Sequence, residues 1–215
     1  LGFSTIRQIL LGVSICKNFK GLNVLDKFSG ESFWMHSIAT AILARHLSKI
    51  GTKVEPDIAY TVGLIHDIGK LLLLEHHEER FVKALLKAKG DNKPLHEAEK
   101  EIFEVSHADV GNWLFKKWNL PRDARRSVKN HHTLVVDSIT PVSEDALTAV
   151  IFFSNNIAKK FNIGNSGNEV IEMDDSNFKK FFGLSIEEAN LDPVRLQEEV
   201  LLYLEILGVA EGAAV

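Results

Sequence analysis

The stretch that most constrains the fold runs from Val62 to Leu74, where apolar residues surround a central His66-Asp67 pair. Pro56 marks the start of a helix just upstream. A helix that is apolar on nearly every side is buried at the centre of a domain. An unpaired carboxylate in such a place costs several kcal/mol, so Asp67 needs either a lysine or arginine partner or a metal ion.

The composition is that of an ordinary globular domain. The chain has 215 residues, of which 45% are hydrophobic and 25% are charged, enough for one buried core. A net charge of −4 gives no general attraction to nucleic acid or to an anionic membrane. The uncharged runs are shorter than the roughly 20 apolar residues that cross a bilayer. Cys16 is the only cysteine and no secretory signal is visible, so we expect a reducing, cytoplasmic location.

Apolar residues recur at helical spacing along the chain, and no segment alternates as a strand does. The sequence therefore predicts an all-α, multi-helical bundle. The predicted helices are Phe3–Phe19, Glu31–Ile50, the central helix after Pro56, Glu75–Lys89, Pro94–Glu104, a helix capped by Ser106 that ends at Trp118, Arg122–His132, a helix capped by Ser143, Asp174–Phe182, Ser185–Asn190 and Pro193–Leu207. We expect one domain over residues 1–164, followed over residues 165–215 by a loop and a C-terminal helical extension packed on it.

Five of the nine histidines fall on the predicted inner faces of four helices: His36, His66, His107, His131 and His132. Helices packed around a core can bring such residues to one point, which is how bundles build metal sites. The first two, together with Asp67, form a two-histidine, one-carboxylate set that suits Fe(II), Mn(II) or Zn(II). The other three would supply a second ion, with Asp67 bridging the two.

A purely structural interpretation stays open. A histidine on an apolar face is usually hydrogen-bonded to a carbonyl, and a buried arginine such as Arg45 could neutralise Asp67. However, five inward histidines and a buried acid are a heavy polar load for a core without a function. Lys70, one turn after His66, would contact a substrate phosphate if the protein is an enzyme. Otherwise we expect its side chain to extend from the buried helix to solvent.

A set of short motifs resembles the HD superfamily and, within it, the HDOD domains of bacterial signalling proteins. The motifs are Phe33-Trp34-Met35-His36-Ser37, Gly63-Leu64-Ile65-His66-Asp67-Ile68-Gly69-Lys70, His107-Ala108-Asp109-Val110-Gly111, Trp118-Asn119-Leu120-Pro121 and Asn130-His131-His132. Each motif alone is weak, but their combination and order are specific, and they cover roughly residues 1–164. The resemblance implies an HD-like helical bundle. It also implies that the domain lacks a helical stretch that usually precedes the part resembling residues 1–19.

Two departures from the catalytic members of the superfamily concern the metal site. In the related HD phosphohydrolases and HD-GYP cyclic-dinucleotide phosphodiesterases a late aspartate completes the site, and its counterpart here is Asn155. A neutral amide is a weaker ligand for a divalent ion. The Gly-Tyr-Pro element is also missing, since Thr133-Leu134-Val135-Val136 follows His132. Both departures argue against cyclic-dinucleotide hydrolysis, while the histidines and Asp67 still allow a bound metal.

These observations favour a regulatory, non-catalytic HDOD module that binds a partner protein or a small signalling ligand. Its histidine pocket would be either a metal-containing core, with one or two divalent ions (Fe, Mn or Zn), or a vestigial one. The alternative is a metal-dependent phosphohydrolase acting on a nucleotide or another phosphoester through metal-activated water. Nucleic-acid binding is the least favoured hypothesis. It would use the basic residues of one helix, Arg122, Arg125, Arg126 and Lys129, but no aromatic residue interleaves them and such charges are typical of a solvated face.

Overall fold

Helices make up most of the fold in the computed structural model, which describes residues 23–25, 28–134 and 139–207. The all-α prediction is confirmed. The helices are α1 (Gly30–Ser48), α2 (Pro56–Ile65), α3 (Ile68–Gly90), α4 (Leu95–Phe103), α5 (His107–Lys117), α6 (Arg122–Asn130), α7 (Ala146–Lys160), α8 (Asp175–Phe182) and α9 (Pro193–Leu207). None of them is long and apolar enough to cross a bilayer. The predicted helix Phe3–Phe19 lies outside the described residues.

Two local features differ from the prediction. A short antiparallel pair, β1 (Asn23–Leu25) and β2 (Phe28–Ser29), precedes α1. Strands of two and three residues are too short to show alternation in a sequence. Residues 185–190 form turns rather than the predicted helix. The segment ends at Asn190, whose backbone is in the left-handed region with φ 53°, a conformation that does not continue an α-helix.

The predicted central helix is in fact two helices. α2 ends at Ile65, α3 begins at Ile68, and His66 and Asp67 lie in the turn between them. The apolar pattern hid this break because both helices are buried on most sides. The His66 ring satisfies one of the carbonyls left over at the end of α2, since its Nδ1 hydrogen-bonds to the carbonyl of Gly63 at 2.7 Å. The break therefore presents both polar side chains to the interior.

Two glycines let the neighbouring helices approach this turn. A Cβ added at Gly63 would lie 2.9 Å from the Cα of Ala41, so α2 packs directly on the backbone of α1. A Cβ at Gly69 would lie 2.0 Å from the carbonyl oxygen of His107, so the start of α3 rests on the start of α5. Only a residue without a side chain permits contacts this close. They bring α1, α5 and the α2–α3 turn to one place.

Candidate metal centre

The histidines predicted to face inward converge on Asp67, which is fully buried. Four histidine rings direct their Nε2 atoms at its carboxylate. The Nε2 atoms of His107 and His131 lie 3.2 Å and 3.5 Å from Oδ1. Those of His66 and His36 lie 3.4 Å and 4.0 Å from Oδ2. His132 joins through its Nε2, which lies 3.1 Å from that of His107. The structure therefore brings together all five histidines and the acid that the sequence singled out.

Hydrogen bonds on the side away from Asp67 fix the orientation of four of these rings, because each Nδ1 hydrogen-bonds to an oxygen outside the cluster. The pairs are His66 with the Gly63 carbonyl (2.7 Å), His131 with the Val128 carbonyl (2.6 Å), His107 with Glu99 (2.6 Å) and His132 with Glu172 (2.8 Å). A histidine that ligates a metal almost always donates its other ring nitrogen in this way. The arrangement leaves the Nε2 atoms available at the centre.

Three polar atoms at the centre are buried and lack a hydrogen-bond partner: Oδ1 of Asp67 and the Nε2 atoms of His66 and His131. Unsatisfied buried polar groups are rare in folded proteins. Asp67 forms one metal-capable group with His107, His131 and His132, whose ligand atoms lie within 4.8 Å of one another. One carboxylate oxygen and three imidazole nitrogens are a donor set that fits Zn(II), Mn(II) or Fe(II).

The second oxygen of Asp67, Oδ2, forms an ion pair with a buried lysine. Lys70 Nζ donates to Oδ2 at 2.6 Å and to the hydroxyl of Ser166 at 3.0 Å, and its side chain is 1% exposed. The expectation that Lys70 reaches solvent is wrong, because three-residue spacing at the start of α3 places its ammonium beside the carboxylate. Arg45 does not neutralise Asp67 either: it pairs with Asp57 at 3.7 Å on another face of α1.

Asn155 also lies in the centre, on α7, and is buried. Its Oδ1 hydrogen-bonds to Nε2 of His36 at 3.0 Å. The three predicted ligands His36, His66 and Asp67 are close enough to form a metal-capable group. In this group, however, the ring nitrogen of His36 is engaged by the amide and the nearer carboxylate oxygen by Lys70. The two sides of Asp67 are therefore chemically different.

Burial sets the charge state of most of these groups. It lowers the pKa of His36 to about 3 and holds the pKa of His132 well below its usual value. Burial alone would raise the pKa of Asp67, but His66 and the Lys70 ammonium hold it well below the ordinary range. In His107 burial is the largest single effect and lowers the pKa, but the carboxylates of Glu99 and Asp67 together outweigh it and raise the pKa of the ring. Neutral imidazoles and an ionised acid are the forms that bind a metal, so a metal ion bound by His107 would favour loss of a proton from this ring.

Sequence reasoning missed several residues that support the centre. Glu99, fully buried on α4, accepts from both the ring and the backbone amide of His107. The only sequence feature that could have indicated the burial of Glu99 is its position one helical turn after Leu95, which is also buried. Ser166 and Glu172 come from a loop, where no periodicity indicates burial. His96 stacks on the ring of His132 at 4.4 Å.

The all-α fold and the buried histidine–aspartate cluster together define an HD-type helical domain. The chain belongs to the HDOD domain family, whose model matches residues 1–134. Among curated proteins, it is 30% identical over 125 residues to ribonuclease Y of Fusobacterium nucleatum, which covers 56% of this chain and 19% of that protein. The chain spans only between 17% and 24% of the length of the curated relatives it matches.

Solved structures show the same fold. An HDOD domain protein of unknown function from Geobacter sulfurreducens superposes with a TM-score of 0.69 at 20% identity, over 100% of this chain and 72% of that one. The MmoQ response regulator from Methylococcus capsulatus superposes with a TM-score of 0.61 at 20% identity, over 82% of this chain and 64% of that one. At these identities the likeness establishes the architecture alone.

Proposed function

We propose that this chain is a regulatory HDOD module of bacterial signal transduction, with a pocket that binds one divalent ion and no phosphodiesterase activity. The observation that carries the proposal is the contact of 2.6 Å between Lys70 Nζ and Asp67 Oδ2. A second ion bridged by Asp67 would need this oxygen, and a buried ammonium strongly disfavours another cation beside it. The other oxygen, Oδ1, still faces His107 and His131, and His132 lies next to His107.

Asn155 supports the same conclusion. A carboxylate at this position would add a charged ligand on the His36 side, whereas the amide only accepts a hydrogen bond from the ring at 3.0 Å. Two-metal hydrolysis requires two ions roughly 3.5–4 Å apart to stabilise the attacking and leaving oxygens. The His36 side of Asp67 offers an amide and an ammonium instead. We infer a centre that stabilises or switches the domain rather than one that cleaves a phosphoester.

A signalling role agrees with the structural likeness to a response regulator. Such a module would act by binding a partner protein or a small signalling ligand in the cytoplasm. The second candidate function is a metal-dependent phosphohydrolase, favoured by the similarity to ribonuclease Y and by the intact histidine set around Oδ1 of Asp67. In that case Lys70 would have to leave Asp67 to contact a substrate phosphate.

Turnover assays distinguish the two functions. The purified chain is incubated with Mn²⁺ or Fe²⁺ and with generic phosphodiester and nucleotide substrates, and product is measured over time. We expect no turnover above a metal-only blank. The opposite result would be hydrolysis that a chelator abolishes and that is lost in the His107→Gln variant, which removes one ring from the centre. That outcome would replace the regulatory proposal by the enzymatic one.

Restoring the missing carboxylate should not create a second metal site as long as Lys70 holds Oδ2 of Asp67. We expect the Asn155→Asp variant still to bind one Mn²⁺ ion per chain, because the added carboxylate lies on the His36 side of Asp67 and the Lys70 ammonium disfavours a cation there. Isothermal titration calorimetry measures the dissociation constant and the number of ions bound. Asn162→Asp, which adds the same charge at an exposed position, is the matched control for a general effect of charge on the dissociation constant. Two ions bound by the Asn155→Asp variant would contradict the proposal that Lys70 excludes the second ion.

A further inference from the structure

We propose that Glu172 is a positioning residue that holds the His132 ring with its Nε2 turned toward the centre. This inference rests on the metal centre proposed above and adds a residue that the family match does not include, since that match ends at residue 134. Glu172 lies in the loop between α7 and α8. Its Oε2 accepts a hydrogen bond from Nδ1 of His132 at 2.8 Å. A proton held on Nδ1 leaves the lone pair of Nε2 free to bind a cation.

The carboxylate of Glu172 is itself held from several directions. Besides His132, its Oε2 accepts from Nζ of Lys159 at 3.2 Å and from the side-chain amide of Asn168 at 3.3 Å. The backbone amide of Glu172 donates to Oδ1 of Asn156 at 2.7 Å. Two of these partners come from α7, the buried helix that also carries Asn155 into the centre. A loop residue anchored in this way can fix a ring as firmly as a residue in a helix.

The main alternative is that Glu172 is a metal ligand, because its carboxylate, His96 and His132 also lie close enough to hold an ion. That site could use Oε1 of Glu172, which lies 3.6 Å from Nδ1 of His96. However, it would also need Nδ1 of His132, because Nε2 of that ring belongs to the centre, and Nδ1 already donates to Oε2 of Glu172. It would also place a cation beside the ammonium of Lys159, which contacts that same oxygen. His96 stacks on His132 with an interplanar angle of 14°, as a packing partner does. The contacts therefore favour positioning.

If this inference is correct, the metal centre depends on residues that lie after residue 134, where the match to the family model ends. Ser166, from the same loop, hydrogen-bonds to Lys70 on the Oδ2 side of Asp67, while Glu172 orients a ring on the Oδ1 side. One loop thus contacts the supporting residues on both sides of the carboxylate. A change in this loop would alter metal binding without changing any ligand.

The test uses the 215-residue chain and three variants. Glu172→Ala removes the acceptor, Glu172→Gln keeps an oxygen acceptor without the charge, and Glu169→Ala is a control at an exposed position in the same loop. We expect Glu172→Ala to bind Zn²⁺ and Mn²⁺ about 10–100-fold more weakly. Glu172→Gln should recover part of this loss, and Glu169→Ala should match the natural chain.

A second measurement determines the tautomer of the His132 ring directly, in metal-free protein. Nitrogen-15 NMR of the imidazoles should show His132 with its proton on Nδ1 in the natural chain and a mixture of tautomers in Glu172→Ala. Unchanged metal affinity together with an unchanged tautomer in Glu172→Ala would overturn the inference. If the natural chain itself binds neither ion, the proposed metal centre fails, and the NMR result alone then decides whether Glu172 positions the ring.

Discussion

Replacing Asp67 by alanine is expected to lower the free energy of unfolding of the metal-free protein by about 3–5 kcal/mol. The reason is Lys70, whose ammonium is 1% exposed and would lose its carboxylate partner at 2.6 Å. Removing one member of a buried ion pair leaves the other charge desolvated and uncompensated. Chemical denaturation followed by circular dichroism measures the change, with metal removed by a chelator so that ligand loss does not contribute.

A second substitution isolates this cause. In the Asp67→Ala, Lys70→Met double variant both charges are absent, and we expect most of the lost stability to return, because replacing a whole buried pair by apolar groups is often neutral. Asp91→Ala removes an exposed carboxylate at the C-terminal end of α3, where it pairs with Lys87 and Lys93, and should leave stability almost unchanged. A double variant as unstable as Asp67→Ala would show that the buried lysine is not responsible.

Replacing Gly69 by alanine is expected to destabilise the fold by about 3 kcal/mol or more, at the upper end of the cost of overpacking. The added Cβ would lie 2.0 Å from the carbonyl oxygen of His107 and 2.9 Å from the amide nitrogen of Gly111. Both are backbone atoms, so α3 and α5 would have to separate. Thermal and chemical denaturation measure the loss, and titration with Zn²⁺ should show weaker binding because His107 moves away from Asp67.

Gly90 provides a control in the same helix. Nothing lies within 4 Å of a Cβ added there, and alanine is favoured over glycine in helices by up to about 1 kcal/mol. We therefore expect Gly90→Ala to be neutral or stabilising. If Gly69→Ala were as stable as Gly90→Ala, the close packing of α3 on α5 would not be what places His107 at the centre.

The sequence predicted the members of the cluster better than their arrangement. His36, His107 and His131 lie on apolar helix faces, and helical periodicity indicates which face is buried. The break between α2 and α3 was not predictable in this way, since apolar residues on both sides of His66 and Asp67 give the same pattern with or without it. The fold class follows from periodicity, whereas the local turn depends on packing.

The partners of the cluster were harder to predict because they depend on contacts distant in sequence. The burial of Lys70 relies partly on Ser166, 96 residues later, which accepts a hydrogen bond from its ammonium. Glu99 and Glu172 lie in segments that look acidic and solvated, and only the folded chain shows that each binds a histidine ring. The predicted role of Asn155 came from the family resemblance, and its side chain does meet His36.

Metal analysis combined with anomalous scattering from crystals of the metal-loaded protein tests most directly whether the histidine cluster is a metal centre. We expect one divalent ion per chain, coordinated by Asp67 Oδ1 and the Nε2 atoms of His107, His131 and His132, with Lys70 still bound to Oδ2. A protein that takes up no ion, or one whose anomalous peak lies away from Asp67, would contradict the proposed centre. Two ions bridged by Asp67 would contradict the regulatory function inferred from Lys70.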